Sequence, residues 1–140
     1  SLHQFSSKID LPCIRVVNIE SIADSEGFDA DFVANNLMSK FTTEPVAILL
    51  DTSIRGVGGG AGVAFDWSIA EFIQNSGHGV IVAGGLDPSN VDIAVSKGFY
   101  GIDASSGLEV GSGNIAKDER KVEAYVRRAK EASEYSLKGS

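Results

Sequence analysis

The chain has one cysteine, Cys13, and two widely separated histidines, His3 and His78, among 140 residues. That scarcity excludes an internal disulfide and the Cys/His cluster a transition metal needs. Cys13 falls in the apolar run 11–17, where a buried, inert thiol is expected. His3 and His78 read as surface residues, His78 lying between two glycines in a turn ahead of a strand. Positive charge is also short: 12 Lys and Arg stand against 19 Asp and Glu, a net charge of -7 with no dense basic cluster. Such a field repels polyanions and excludes nucleic acid as a partner. A small phosphorylated molecule is still admitted, because backbone amides hold phosphate without a basic patch. No apolar stretch reaches the roughly 18 residues of a membrane span, and the start Ser1-Leu2-His3 has no basic-then-apolar signal pattern. A cytoplasmic protein with no membrane partner is the expectation.

What is present is a packed core and much glycine: 43% hydrophobic residues and 16 glycines, in a length suited to one domain. Strand-like and helical segments alternate. Residues 11–18, 45–51, 80–83 and 99–103 read as strands; 28–41, 66–75, 88–96 and 117–130 read as helices. In the first helix Phe28, Phe32, Val33, Leu37 and Phe41 carry the apolar spacing, and in the last Val122, Tyr125, Val126 and Ala129 do. Asp66 is placed to cap the second helix, Gly77 to end it, and Pro88 to open the third. Residues 133–140 read as a solvated tail.

Four β/α units in succession make a parallel sheet, either a small open one or half of an eight-stranded barrel. Leu2, Phe5 and Ile9 have partial helical spacing, so the chain is expected to begin inside a unit, as a truncated barrel would. The fold class expected is α/β, a half-barrel of TIM type.

The strand ends carry the chemistry. The apolar strand Ile48-Leu49-Leu50 stops on Asp51 and runs into a loop with five glycines in residues 56–62. A carboxylate at the carboxyl end of a parallel strand stands where such folds meet their ligands. Asp103 holds the equivalent place on the fourth strand. A strand-end acid can instead cap the next turn, and two on one rim add weight to the functional reading. Gly84-Gly85 and Ser105-Ser106-Gly107 follow the third and fourth strands, as a phosphate grip of bare backbone amides or as two ordinary turns. The spacing Gly56-x-Gly58 followed by Ala61 matches a dinucleotide fingerprint weakly. Asp51 and four further residues intervene before the first glycine, whereas a dinucleotide turn is tight against its strand, so no cofactor is expected. Glycine freedom suits a loop that closes over substrate, through Gly59, Gly60 and Gly62.

Taken in order, Leu49-Leu50-Asp51-Thr52, Gly59-Gly60-Ala61-Gly62-Val63-Ala64-Phe65-Asp66-Trp67, Ala83-Gly84-Gly85-Leu86-Asp87-Pro88-Ser89-Asn90-Val91, Ile102-Asp103-Ala104-Ser105-Ser106-Gly107-Leu108-Glu109 and Lys117-Asp118 resemble the phosphoribosylanthranilate isomerases of tryptophan biosynthesis. Ala61 and Val63 stand where that family usually has more polar side chains. The resemblance implies the last four strands of an eight-stranded barrel over residues 1–140. It also implies an Amadori rearrangement with Asp51 as general acid and Gly84, Gly85, Ser105, Ser106 and Gly107 holding the substrate phosphate, while Asp103 orders a sugar hydroxyl or the loop. The family's base, a first-strand cysteine, and its arginine for the anthranilate carboxylate have no counterpart here, and Cys13 does not match that motif. The chain alone is therefore expected to be inactive. Exposed strand edges imply association with an N-terminal half-barrel or with a second copy. A non-catalytic phosphometabolite-binding half-barrel, and another ribose-phosphate barrel enzyme such as an indoleglycerol-phosphate synthase or a histidine-pathway isomerase, stand as alternatives.

Overall fold

The computed structural model describes residues 12–18, 30–39, 45–51, 67–111 and 114–138. Its elements run β1 (Ile14–Asn18), α1 (Ala30–Ser39), β2 (Ala47–Asp51), α2 (Ser68–Asn75), β3 (Val80–Ala83), α3 (Val91–Ser96) and β4 (Gly101–Ile102). A single 3₁₀ turn, Ser106–Leu108, leads into β5 (Glu109–Gly111), β6 (Asn114–Lys117) and the long helix α4 (Glu119–Lys138). The first four strands form one parallel sheet in the order β1-β2-β3-β4. β5 and β6 form a separate antiparallel pair. The α/β class and the open, four-stranded parallel sheet are as the residues lead one to expect.

Register explains the core. Val17, Leu50, Val82 and Ile102 are neighbours across the sheet, as are Ile48 and Val80 one layer below. Those two rows face the helices and pack with Ile69, Ala70 and Ile73 of α2, Val91 and Ala94 of α3, Leu86, Leu108 and Tyr125. β-branched and leucine side chains on a pleated sheet supply the apolar burial that drives this packing, at about 25 cal/mol per Å² removed from water. Strand alternation puts the other set, Ile14, Val16, Leu49, Ile81, Asp51 and Ala83, on the opposite face. There Ile14 is 55% and Val16 66% exposed. A parallel sheet is ordinarily covered on both faces; among the described residues this one is covered on one.

Four readings are corrected. Cys13 is exposed rather than buried, because it precedes β1, the edge strand of the described sheet. Lys117 belongs to β6 and not to the last helix, which starts after Asp118. There Asp118 accepts the Arg120 N–H at 2.9 Å and the Lys121 N–H at 3.3 Å through Oδ1, a helix cap. Residues 133–138, expected as tail, continue α4, with Ser133, Glu134, Tyr135 and Ser136 exposed. On α4 the face holds Val122, Tyr125 and Ala129 against the core, but Val126 is exposed.

Asp66, the expected cap of α2, and Phe28 and Phe41 lie outside the described residues. Trp67 precedes α2, buried, with its ring edge-on to Phe99 at 6.2 Å between centroids. The Lys97 ammonium lies 5.7 Å over the same ring and pairs with Glu71, tying the turn after α3 to α2. Gly77 ends that helix region in the left-handed conformation, φ +95°.

Candidate functional site

The carboxyl ends of the strands collect the chemistry-bearing residues. Asp51, the last residue of β2, pairs in register with Asn18 on one side and Ala83 on the other. The Asp103 N–H donates to the Val82 carbonyl at 2.8 Å, which carries the same row across to the fourth strand. Asp51 alternates with buried Leu50 and so belongs to the sheet face away from the helices; it is partly exposed, and Asp103 is exposed. Two strand spacings of about 4.8 Å put their Cα atoms roughly 10 Å apart, with the small Ala83 between them.

The loops after β3 and β4 meet beside this row. Gly84 and Gly85 are consecutive left-handed residues, φ 88° and 64°, a path that L side chains adopt only with strain. Asn90 holds the turn from within: its Nδ2 donates to the Gly85 carbonyl at 3.0 Å and its Oδ1 accepts the Asp87 N–H at 2.9 Å. Asp87 in turn accepts the Ser89 N–H at 2.6 Å, and Leu86 is buried as the anchor between them. Gly107, in the 3₁₀ turn, lies against this loop so closely that a Cβ there would stand 2.1 Å from the Leu86 carbonyl oxygen and 2.9 Å from the Asp87 Cβ. The glycine at 107 is therefore required by contact between the two loops.

The described residues thus bring together Asp51, Gly84, Gly85, Asp103, Ser105, Ser106 and Gly107. Gly59, Gly60 and Gly62 lie outside the described residues. His78 is half-buried at the amino end of β3, away from this rim. No group of three or more His, Cys, Asp or Glu side chains able to hold a metal occurs among the described residues, and none of their helices is long and apolar enough to cross a membrane.

Sequence reasoning missed two supports of the loops. Asn90 is one, readable in hindsight from an Asx residue two positions after the proline of a tight turn. Lys117 is the other. Its ammonium contacts the Ser105 carbonyl at 2.9 Å, the Ser105 hydroxyl at 3.3 Å and the Glu109 carboxylate at 3.0 Å. Only the β5–β6 hairpin makes that approach, and a three-residue strand leaves little periodicity to read. Behind the rim, Tyr125 is buried and its hydroxyl has no hydrogen-bond partner among the described residues. Burial first, and the charge of Asp103 second, push its phenol from 10 up to about 12.

Residues 16–128 match the family model of N-(5'-phosphoribosyl)anthranilate isomerase. The chain belongs to the phosphoribosylanthranilate isomerase family. It is 33% identical over 143 residues to the N-(5'-phosphoribosyl)anthranilate isomerase of Pseudomonas fluorescens, covering 95% of this chain and 66% of that one. It is 39% identical over 124 residues to the tryptophan biosynthesis protein TRP1 of Phytophthora nicotianae, covering 88% of this chain and 23% of that protein. The phosphoribosylanthranilate isomerase structure from Pyrococcus furiosus superposes with a TM-score of 0.64 at 27% identity, over 92% of this chain and 56% of that chain. The Thermotoga maritima enzyme gives 0.63 at 26% identity over 93% and 56%. The chain therefore spans between about a quarter and two thirds of the length of these relatives. Its open sheet is a segment of the TIM-type barrel of the family.

Proposed function

We propose that this chain supplies the acid and the phosphate grip of a phosphoribosylanthranilate isomerase, which converts an N-(5-phosphoribosyl)anthranilate to the corresponding amino-deoxyribulose phosphate. The observation that carries the reading is the rim, where Asp51 ends β2 and Asp103 follows β4 beside two interlocked glycine loops, in a chain of this family. Asp51 gives its proton to the furanose ring oxygen; the C1–O bond breaks, and the nitrogen lone pair forms an iminium. A base on the other side of the sugar removes the C2 proton, and the resulting enolamine passes to the ketone. Acid and base each contribute about 10²–10⁴-fold in such a step. The backbone of 84–85 and 105–107 holds the phosphate, and Asp103 orders a sugar hydroxyl.

The base and the group that recognises the anthranilate carboxylate belong to further β/α units, which would also cover the face bearing Ile14 and Val16. Those units can be joined to this segment or carried by another chain.

The test follows the fluorescence of phosphoribosylanthranilate with this chain, with the chain plus a family N-terminal half-barrel, and with Asp51→Asn in the same assembly. Turnover by the assembly that falls about 10²–10⁴-fold on Asp51→Asn supports the reading. A folded, phosphate-binding assembly without turnover would leave a binding module instead.

A further inference from the structure

Within the loop proposed to hold phosphate, Ser105 is held by the Lys117 side chain. Ser105 accepts two contacts from Lys117, at its carbonyl (2.9 Å) and its hydroxyl (3.3 Å), and the third partner of the same ammonium is Glu109 Oε1 at 3.0 Å. An ammonium has three protons, and here it meets three acceptors. It therefore has little capacity left to bind an anion directly. The residues that follow Lys117 strengthen the same clamp: Lys121 Nζ donates to the Glu109 carbonyl at 2.7 Å, and the Asp118 N–H donates to the Leu108 carbonyl at 2.8 Å. Residues 105–109 are thus gripped at both ends from the segment 117–121, while Gly107 between them rests on Leu86.

The Ser105 carbonyl also accepts the Leu108 N–H at 3.1 Å, closing the turn that sets the direction of the amides at 106 and 107. A hydroxyl that accepts from Lys117 keeps its own proton to donate. Both consequences depend on a residue twelve positions away in sequence.

We propose that Lys117 is a positioning residue of the phosphate site: it fixes the backbone of the 105–107 turn and the Ser105 hydroxyl as donors, acting through Ser105 and Glu109 and not by touching the phosphate. The inference rests on the phosphate reading of the preceding subsection and names what makes that loop competent. Charge-assisted bonds to a partly exposed turn are of the size that changes anion affinity by about tenfold.

The experiment titrates inorganic phosphate into the full chain and follows the backbone amide signals of Gly85, Ser106 and Gly107, for the unaltered protein, Lys117→Met and Lys117→Arg. Hydrogen exchange of the same amides is measured without phosphate. A weakening of about tenfold or more in Lys117→Met, recovered to within about threefold by Lys117→Arg, supports the proposal. So does faster exchange at 106–108 in Lys117→Met while the β3 amides of Val80 to Val82 keep their protection. Equal affinity and equal exchange in Lys117→Met overturn it. If the unaltered protein gives no phosphate response, the phosphate reading fails, and exchange alone decides whether Lys117 orders the turn.

Discussion

Tyr125→Phe should stabilise this chain, and more so as the pH rises. The Tyr125 side chain is buried on α4 and its hydroxyl has no partner among the described residues. Removing a buried, unsatisfied hydroxyl without changing the ring returns part of its desolvation penalty, about 1 kcal/mol at neutral pH. The pH term comes from the phenol, which ionises at 10 in the unfolded chain and is pushed up to about 12 when folded. Between those values the unfolded state gives up a proton that the folded state keeps, so unfolding is favoured as pH rises. The loss begins near pH 10, is of order 1 kcal/mol at pH 11 and tends to roughly 2–3 kcal/mol at higher pH. Phenylalanine has nothing to ionise and escapes it. Urea unfolding of both proteins, followed by circular dichroism from pH 7 to 11, reads the difference, because lysine and the other tyrosines titrate alike in the two and cancel. A difference that stays flat between pH 8 and 11 would refute the reasoning. Asp103→Asn, which removes the second cause and leaves burial in place, should narrow the alkaline rise without abolishing it.

Two glycine-loop substitutions complete the set. Gly107→Ala must move the 105–107 turn off the Leu86 carbonyl, since its Cβ would stand 2.1 Å from that oxygen; about 1–3 kcal/mol of stability should go, with shifted amide signals at Leu86 and Asp87, and an unchanged spectrum would refute the close approach. Asn90→Ala leaves the Gly85 carbonyl and the Asp87 N–H without the amide that joins them. A loss of about 1–2 kcal/mol is expected in the same urea assay, and Asn90→Asp should restore only the bond to the Asp87 N–H.

Strand order and the place of Asp51 were legible because each rests on a short-range signal. Leu50 and Val82 are members of apolar runs that stop on a small or acidic residue, and parallel strands separated by helical periodicity leave one topology for a short chain. Gly84 and Gly85 were legible as a pair, and their left-handed backbone gives the physical reason. Other features were not, because their causes are tertiary. Cys13 is apolar by context, yet it sits before the edge strand of the described sheet and is exposed, which no local pattern encodes. Gly107 reads as any turn glycine until Leu86 arrives against it from the preceding loop. Lys117 and Asp118 sit at a junction where a four-residue strand yields to a helix, and the helical period of Val122 and Tyr125 extends backward over them when no boundary is marked. The marker was there: Asp118 with Glu119 behind it is a helix start.

The two faces of the sheet divide stability from chemistry. Leu50, Val82 and Ile48 are packed under α2, α3 and the first half of α4, so the burial that holds the described sheet lies on the helix face. On that other face Asp51 and Ala83 lie directly above the row Val16, Leu49, Ile81 and Gly101, and Val16 is two thirds exposed. Under the proposed function, whatever buries Val16 and Ile14 also stands across the sugar from Asp51, where the base must be. Burial of each such aliphatic side chain is worth about 1.5–3 kcal/mol. Covering the sheet and completing the acid–base pair are then one event, and substitutions at Ile14 or Val16, which touch no reacting atom, should weaken assembly and turnover together while leaving the phosphate response of the 84–85 and 105–107 loops intact.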